Sequence, residues 1–115
     1  MAEREDKPTD EKLLAKPIEL TGLLGYQDGA VVSRTLVDKR VGTITIFSFD
    51  QGQGLSEHTA PYDAYVQIAD GAMDITVEGA VNRVEAGRFI IMPARKPHAL
   101  RAVVQSKMLL VMIRA

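Results

Sequence analysis

The chain has 115 residues, with no cysteine, no tryptophan, only two histidines, and aromatics at 5%. Without cysteine there are no disulfides, no thiolate metal sites and no cysteine nucleophile. Charge of one sign is also lacking. Fourteen lysines and arginines face fifteen acidic residues, for a formal charge of −1. That balance supplies no field to recruit nucleic acid or an anionic membrane. Long hydrophobic runs are missing as well. The longest aliphatic stretch, MLLVMI from Met108 to Ile113, is far below the ~20 residues of a spanning helix. No internal repeat occurs, and no glycine loop opens a helix to cradle a phosphate. No serine–histidine–carboxylate set can be placed, so the catalytic residues, if any, are unknown at this level.

What is present fits one ordinary globular domain, at 46% apolar and 25% charged residues. A chain of this length buries roughly 65% of its unfolded surface. The first twelve residues, MAEREDKPTDEK, hold eight charges and one proline. They read as a flexible charged tail (residues 1–12) before a single domain over 13–115. They contain no apolar stretch of the kind a signal peptide needs, so a cytoplasmic protein is expected. KPIELTGLLGY suggests one short helical turn after Pro17.

From Ala30 onward the pattern becomes that of strands. AVVSRTLV and VGTITIFSF are rich in β-branched and aromatic residues, with the turn-like DKR between them. MDITVEG alternates cleanly, with Met73, Ile75 and Val77 on one face and Asp74, Thr76 and Glu78 on the other. VNRVEAG, RFIIMP, HALRAVV and KMLLVMI continue the series, interrupted by Pro93 and Pro97. No long segment keeps helical periodicity. Seven or eight short strands predict an all-β sandwich or barrel.

Both histidines lie in segments with a recognisable pattern. EHTAPYDAYVQIADG, residues 57–71, carries His58, and GRFIIMPARKPH, residues 87–98, carries His98. The first resembles the first motif of the cupin family: glycine, five residues, histidine-x-histidine, a glutamate three or four residues on, and a closing glycine. His58 falls on the first histidine, Ala60 on the second, Ala64 on the glutamate and Gly71 on the last glycine. Three residues lie between Gly54 and His58, where the pattern has five. The second segment resembles the second cupin motif, with Gly87, Pro93 and His98 in place and Arg95 at the inner glycine. A fifteen-residue spacer, Ala72 to Ala86, separates the two. The resemblance runs from about Val31 to Ile113. It implies a jelly-roll barrel (double-stranded β-helix, RmlC-like) of the small bacterial type.

In complete cupins these positions carry metal ligands. Residues i and i+2 of a strand share a face, so histidine-x-histidine aims two imidazoles into the barrel. The resemblance implies His58 and His98 as surviving ligands for a divalent transition metal such as manganese, iron, nickel, copper or zinc. Ala60 and Ala64 remove the other two. A third ligand would have to come from Asp63, if its loop shifts, or from Gln67, if its strand bulges; simple alternation turns Gln67 away from Ala64, Val66 and Ile68.

Three function classes are open. The first is a metal-free pocket for an unidentified small molecule, contacted by His58 and His98 and lined by Ala60, Ala64, Val66, Met92 and Leu100. The second is a metal-dependent cupin enzyme, a dioxygenase or isomerase. The third is a barrel whose role is assembly. Arg95 and Lys96, beside His98, are candidate contacts for an anionic group, while FDQGQG (Phe49 to Gly54) is a connection or a lip over the pocket. The methionines fill core or interface space. AVVSRTLV has few devices to protect a sheet edge, which predicts a homodimer through an edge or a sheet face.

Overall fold

The computed structural model of the chain describes residues 5–114. Its strands are β1 (Val31–Lys39), β2 (Gly42–Phe49), β3 (Gly54–His58), β4 (Ala64–Asp70), β5 (Ala72–Val77), β6 (Ala80–Glu85), β7 (Phe89–Met92), β8 (His98–Ala102) and β9 (Ser106–Ile113). One sheet has the order β1-β2-β9-β4-β7 and the other β3-β8-β5-β6, and every pairing is antiparallel. This is the all-β jelly-roll barrel that the motifs imply. Nine strands appear among the described residues because the first motif divides: β3 stops at His58 and β4 begins at Ala64.

Period-2 alternation decides what faces inward. Ala64, Val66 and Ile68 of β4, Met73 and Ile75 of β5, Leu100 and Ala102 of β8, Met92 of β7 and Met108 of β9 form one buried cluster with Phe49 and Val84. Each large apolar side chain so buried contributes roughly 1.5–3 kcal/mol against the entropy of ordering the chain. The β5–β6 hairpin turns through Glu78 and Gly79 at φ 50° and 82°. Positive φ at both central residues is what a two-residue type I′ turn requires.

The segment before β1 lies over the outer face of the five-stranded sheet. A 3-10 turn at Leu20–Gly22 provides the short helical turn expected after Pro17. The Gly25 carbonyl accepts from Ser48 Oγ at 2.8 Å, the Leu23 carbonyl from Arg34 at 3.4 Å, and the Thr21 carbonyl from Lys107 Nζ. The tail expected to be flexible also has partners in its described part. Asp6 accepts from the Arg40 amide at 2.7 Å, and the Lys7 amide donates to the Asp38 carbonyl at 2.9 Å. Exposed contacts of this kind add little stability, but they run the chain beside β1. Met1 to Arg4 fall outside the described residues. No helix among the described residues is long and apolar enough to cross a membrane.

Gly71, the closing glycine of the first motif, joins β4 to β5 at φ 80°. A Cβ there would press on the Gln105 carbonyl oxygen and Ser106 Oγ, whereas one on Gly79 would meet nothing within 4 Å. Left-handed backbone and overpacking together predict a loss of about 2–4 kcal/mol for Gly71→Ala, against about 1–2 kcal/mol for Gly79→Ala. Urea unfolding of both variants checks this; equal losses would show that the Gly71 contact yields freely.

Candidate functional site

The register of β3 on β8 sets His58 opposite His98, with a bulge between Leu55 and His58. The two rings meet edge-on, with centroids 4.4 Å apart at 76°, and their Nε2 atoms are 3.1 Å apart. His98 is buried at 3% exposure, whereas His58 is exposed at the barrel mouth. Each ring is anchored through its other nitrogen by a carbonyl two residues earlier. His58 Nδ1 lies 2.7 Å from the Ser56 oxygen, and His98 Nδ1 lies 3.2 Å from the Lys96 oxygen. A carbonyl can only accept, so each Nδ1 must carry the hydrogen. Two neutral imidazoles are then left with their Nε2 lone pairs facing each other. The three contacts need three hydrogens, and a neutral pair brings two.

The loop between β7 and β8 holds this geometry. The Arg95 amide donates to the Ala60 carbonyl at 2.7 Å, and the Ala94 amide donates to Asp63 Oδ1 at 2.8 Å. Glu78 ties down the other side, its amide donating to the Pro97 carbonyl at 2.9 Å. Arg95 sits at φ 64°, which explains why the second motif has a glycine at that position. An arginine there bears a local strain that the Ala60 contact offsets.

The expected lining residues fall into two groups. Ala64, Val66, Met92 and Leu100 are inward and at most 4% exposed, in the core cluster. Ala60 is half-buried and lies beyond the end of β3, so strand alternation with His58 does not apply to it. Both Arg95 and Lys96 are exposed. Lys96 Nζ lies 3.4 Å from Glu78 Oε1, so of the two it is the Arg95 guanidinium that has no ion pair among the described residues.

The donor set for a metal is short. Functional sites generally use three or more protein ligands. No group of three or more His, Cys, Asp or Glu side chains gathers among the described residues. Asp63 is engaged by the Ala94 amide, and Gln67 accepts from the Tyr65 hydroxyl at 3.1 Å with its strand unbulged there. Two imidazoles converge, but the residues present do not fit a resident metal.

Sequence reading did not find the direct contact between the two imidazoles, His58 at the end of β3 and His98 at the start of β8. It also missed Tyr26, whose hydroxyl donates to Asp70 at 2.6 Å beneath Lys107. Burial, then Asp70, pushes that phenol well above its ordinary range. The pair joins residues 44 apart and has no local signature.

Residues 45–114 match the sequence profile of the cupin domain, and the chain belongs to that family. No curated protein matches it. Among solved structures, a conserved protein of unknown function from Streptococcus pyogenes is 38% identical, with a TM-score of 0.88 over 95% of this chain and 96% of that one. A cupin 2 conserved barrel domain protein from Leptotrichia buccalis is also 38% identical, at TM-score 0.77, over 79% of this chain and 44% of that one. A cupin superfamily protein from Desulfitobacterium hafniense shares the fold at 24% identity and TM-score 0.85, over 97% and 100% of the two chains.

Burial, and after it the His58 ring, holds the His98 imidazole below its ordinary value, against the opposing pull of the Lys96 carbonyl. Its proton is therefore bound more readily in the unfolded chain than in the folded one. Stability should be complete above the unfolded histidine value near pH 6.5 and fall as pH drops through the lowered folded value. Asp50 and Asp74 are held low by hydrogen bonds, first from the Gly29 amide and from Arg83 respectively. Their contribution is lost only in stronger acid. Urea unfolding at pH 7.5 and 5.0 should show a decline for the parent that His98→Gln lacks. Equal declines would remove His98 as its source.

Proposed function

We propose that this cupin binds a small molecule at the barrel mouth, through the paired imidazoles of His58 and His98. The observation that carries the reading is the 3.1 Å approach of the two Nε2 atoms while each Nδ1 faces a carbonyl. A neutral pair presents two lone pairs converging on one point. A ligand N–H or O–H entering there relieves their repulsion and hydrogen-bonds both rings. The buried ring contributes most, because an unpaired polar group in that position costs about 1–3 kcal/mol. Ala64, Val66, Met92 and Leu100 belong to the buried apolar core, and apolar surroundings are the usual companion of a few convergent polar groups. The Arg95 guanidinium at the rim suits a ligand that also bears a negative group.

The donor hydrogen and the rim cation together favour a small hydroxylated or amino-bearing acid over a purely apolar ligand. The site needs no metal for this. The metal-dependent reading has fewer ligands than its chemistry requires.

Tag-free protein at pH 7.5 should contain no stoichiometric transition metal by elemental analysis. Titration with lactate, glycerate, gluconate and glycerol, followed by ¹⁵N shifts of the imidazoles, should move both Nε2 resonances together. Hydroxy acids should act at lower concentration than glycerol, and His58→Phe should remove the response. A bound metal at one per chain would overturn the reading, as would a panel that leaves both rings unmoved.

A further inference from the structure

The outer face of the four-stranded sheet carries a charged cavity separate from the barrel mouth. Strand register lays one row across this face: Gly54 of β3, Arg101 of β8, Asp74 of β5 and Arg83 of β6. Arg83 grips Asp74 through Nε at 2.6 Å and Nη2 at 3.4 Å, which leaves the Nη1 hydrogens for another acceptor. The Asp74 carboxyl is held low first by the Arg83 hydrogen bond and last by the charge of Arg101, so it stays ionised at neutral pH. Arg101 itself has no ion pair among the described residues. Gly54 brings no side chain to cover it, and must be glycine, because a Cβ there would overlap the Leu100 carbonyl.

Gln51, Gly52, Asp74, Arg83, Arg101 and Val103 line this cavity, which measures about 270 Å³. Its loop wall is fixed by the backbone. The Gly52 amide donates to the Ala102 carbonyl at 2.9 Å, and the Ala102 amide donates to the Gln53 carbonyl at 2.8 Å. Gly52 holds φ 82°, a turn that glycine makes without strain. Asp50 anchors the same connection, accepting from the Gly29 amide at 2.7 Å and from Gln105 Nε2 at 3.1 Å. A ligand therefore meets a wall that needs no ordering. The FDQGQG connection thus borders this cavity, at the end of β8 away from His98. Arg101 stands three residues from His98, about 10 Å along the strand. It is exposed where its neighbours Leu100 and Ala102 are buried.

We propose that this cavity is a second binding site, outside the barrel, for a small monocarboxylate held by Arg101 and the Nη1 end of Arg83. Charge selects the class of ligand. Two guanidinium groups and the Asp74 carboxylate leave one positive charge, which a single carboxylate neutralises. A phosphate monoester brings about −1.5 to −2 at pH 7, and Asp74, standing between the cations, opposes the excess. A guanidinium fork also matches a carboxylate with two parallel hydrogen bonds. Glu85, two residues along β6 from Arg83, acts on that arginine from outside the lining. Size follows from volume. The cavity is smaller than the ~300–1,000 Å³ of sites for drug-sized ligands, which suits an acid of few carbons. Its hydrocarbon part would rest on Val103, beside the Gln51 amide. The site stands independently of the ligand assigned to the imidazole pair.

Titration of the ¹⁵N-labelled full chain with sodium acetate and sodium butyrate at pH 7.5 tests the assignment, with sodium chloride at equal ionic strength as the control. Saturable shifts should appear at the Gly52 and Ala102 amides and at the Nε–H of Arg83 and Arg101. Butyrate should saturate at lower concentration than acetate, and chloride should give no saturation. Arg101→Gln should raise the butyrate Kd by about tenfold or more with urea unfolding unchanged. Arg101→Lys, which keeps the charge and loses the fork, should fall between. His58→Phe should leave the response intact, which separates this site from the barrel mouth. Asp74→Asn removes the opposing charge, so inorganic phosphate should bind that variant more tightly than it binds the parent. Shifts that never saturate, or that survive both Arg101 variants, would overturn the proposal. Phosphate binding the parent more tightly than butyrate, or ignoring Asp74→Asn, would overturn the monocarboxylate assignment.

Discussion

The pairing of β3 with β8 is the contact on which the site rests. It brings the last residue of one strand opposite the first residue of the other, and both are histidine. Strand geometry then decides the rest. Directly opposed side chains stand within ~5 Å, and two carbonyls face the Nδ1 of each ring, leaving Nε2 toward its neighbour. The outcome is a pair of acceptors aimed at one another with nothing of their own to share. Burial, and after it the His58 ring, holds His98 below its ordinary value, so near neutral pH the His98 ring does not itself gain the missing hydrogen.

The loops around the pair keep it in place from outside the core. Amides of residues 94 and 95 are bound by the segment between His58 and β4, and the amide of residue 78 by Pro97. Asp63, which stood as a spare metal ligand on sequence grounds, is used as a loop clasp. The same pattern that holds a metal in complete cupins here supports two imidazoles with a gap between them. Small side chains stand at 60 and 64, and of these only Ala64 belongs to the buried core.

The architecture was legible because it depends on short-range patterns. Alternation in β4 and β5, the glycine at 71 and the proline–histidine spacing of the second motif are all local and all visible in order. The break of the first motif was signalled by Pro61 and read as a loop holding Asp63, but its clasp was not, because that clasp depends on residues 94 and 95 in a distant loop. The histidine pair was half legible. Two inward rings were expected at one site, but the edge-on contact and the Nδ1 anchors depend on ring orientations, which sequence does not carry. The tail was read from composition as flexible; the partners that Asp6 and Lys7 have on the β1–β2 hairpin have no local signature that composition could show.

The central claim is the missing hydrogen between His58 and His98, and the tautomers test it most directly. Long-range ¹H–¹⁵N correlation on uniformly labelled, ligand-free protein at pH 8 distinguishes a protonated Nδ1 from a protonated Nε2 in each ring. The account predicts that both rings carry hydrogen on Nδ1 and that both Nε2 atoms are bare. A hydrogen on the Nε2 of either ring at that pH would mean that the pair satisfies itself by a direct hydrogen bond, and would contradict the account.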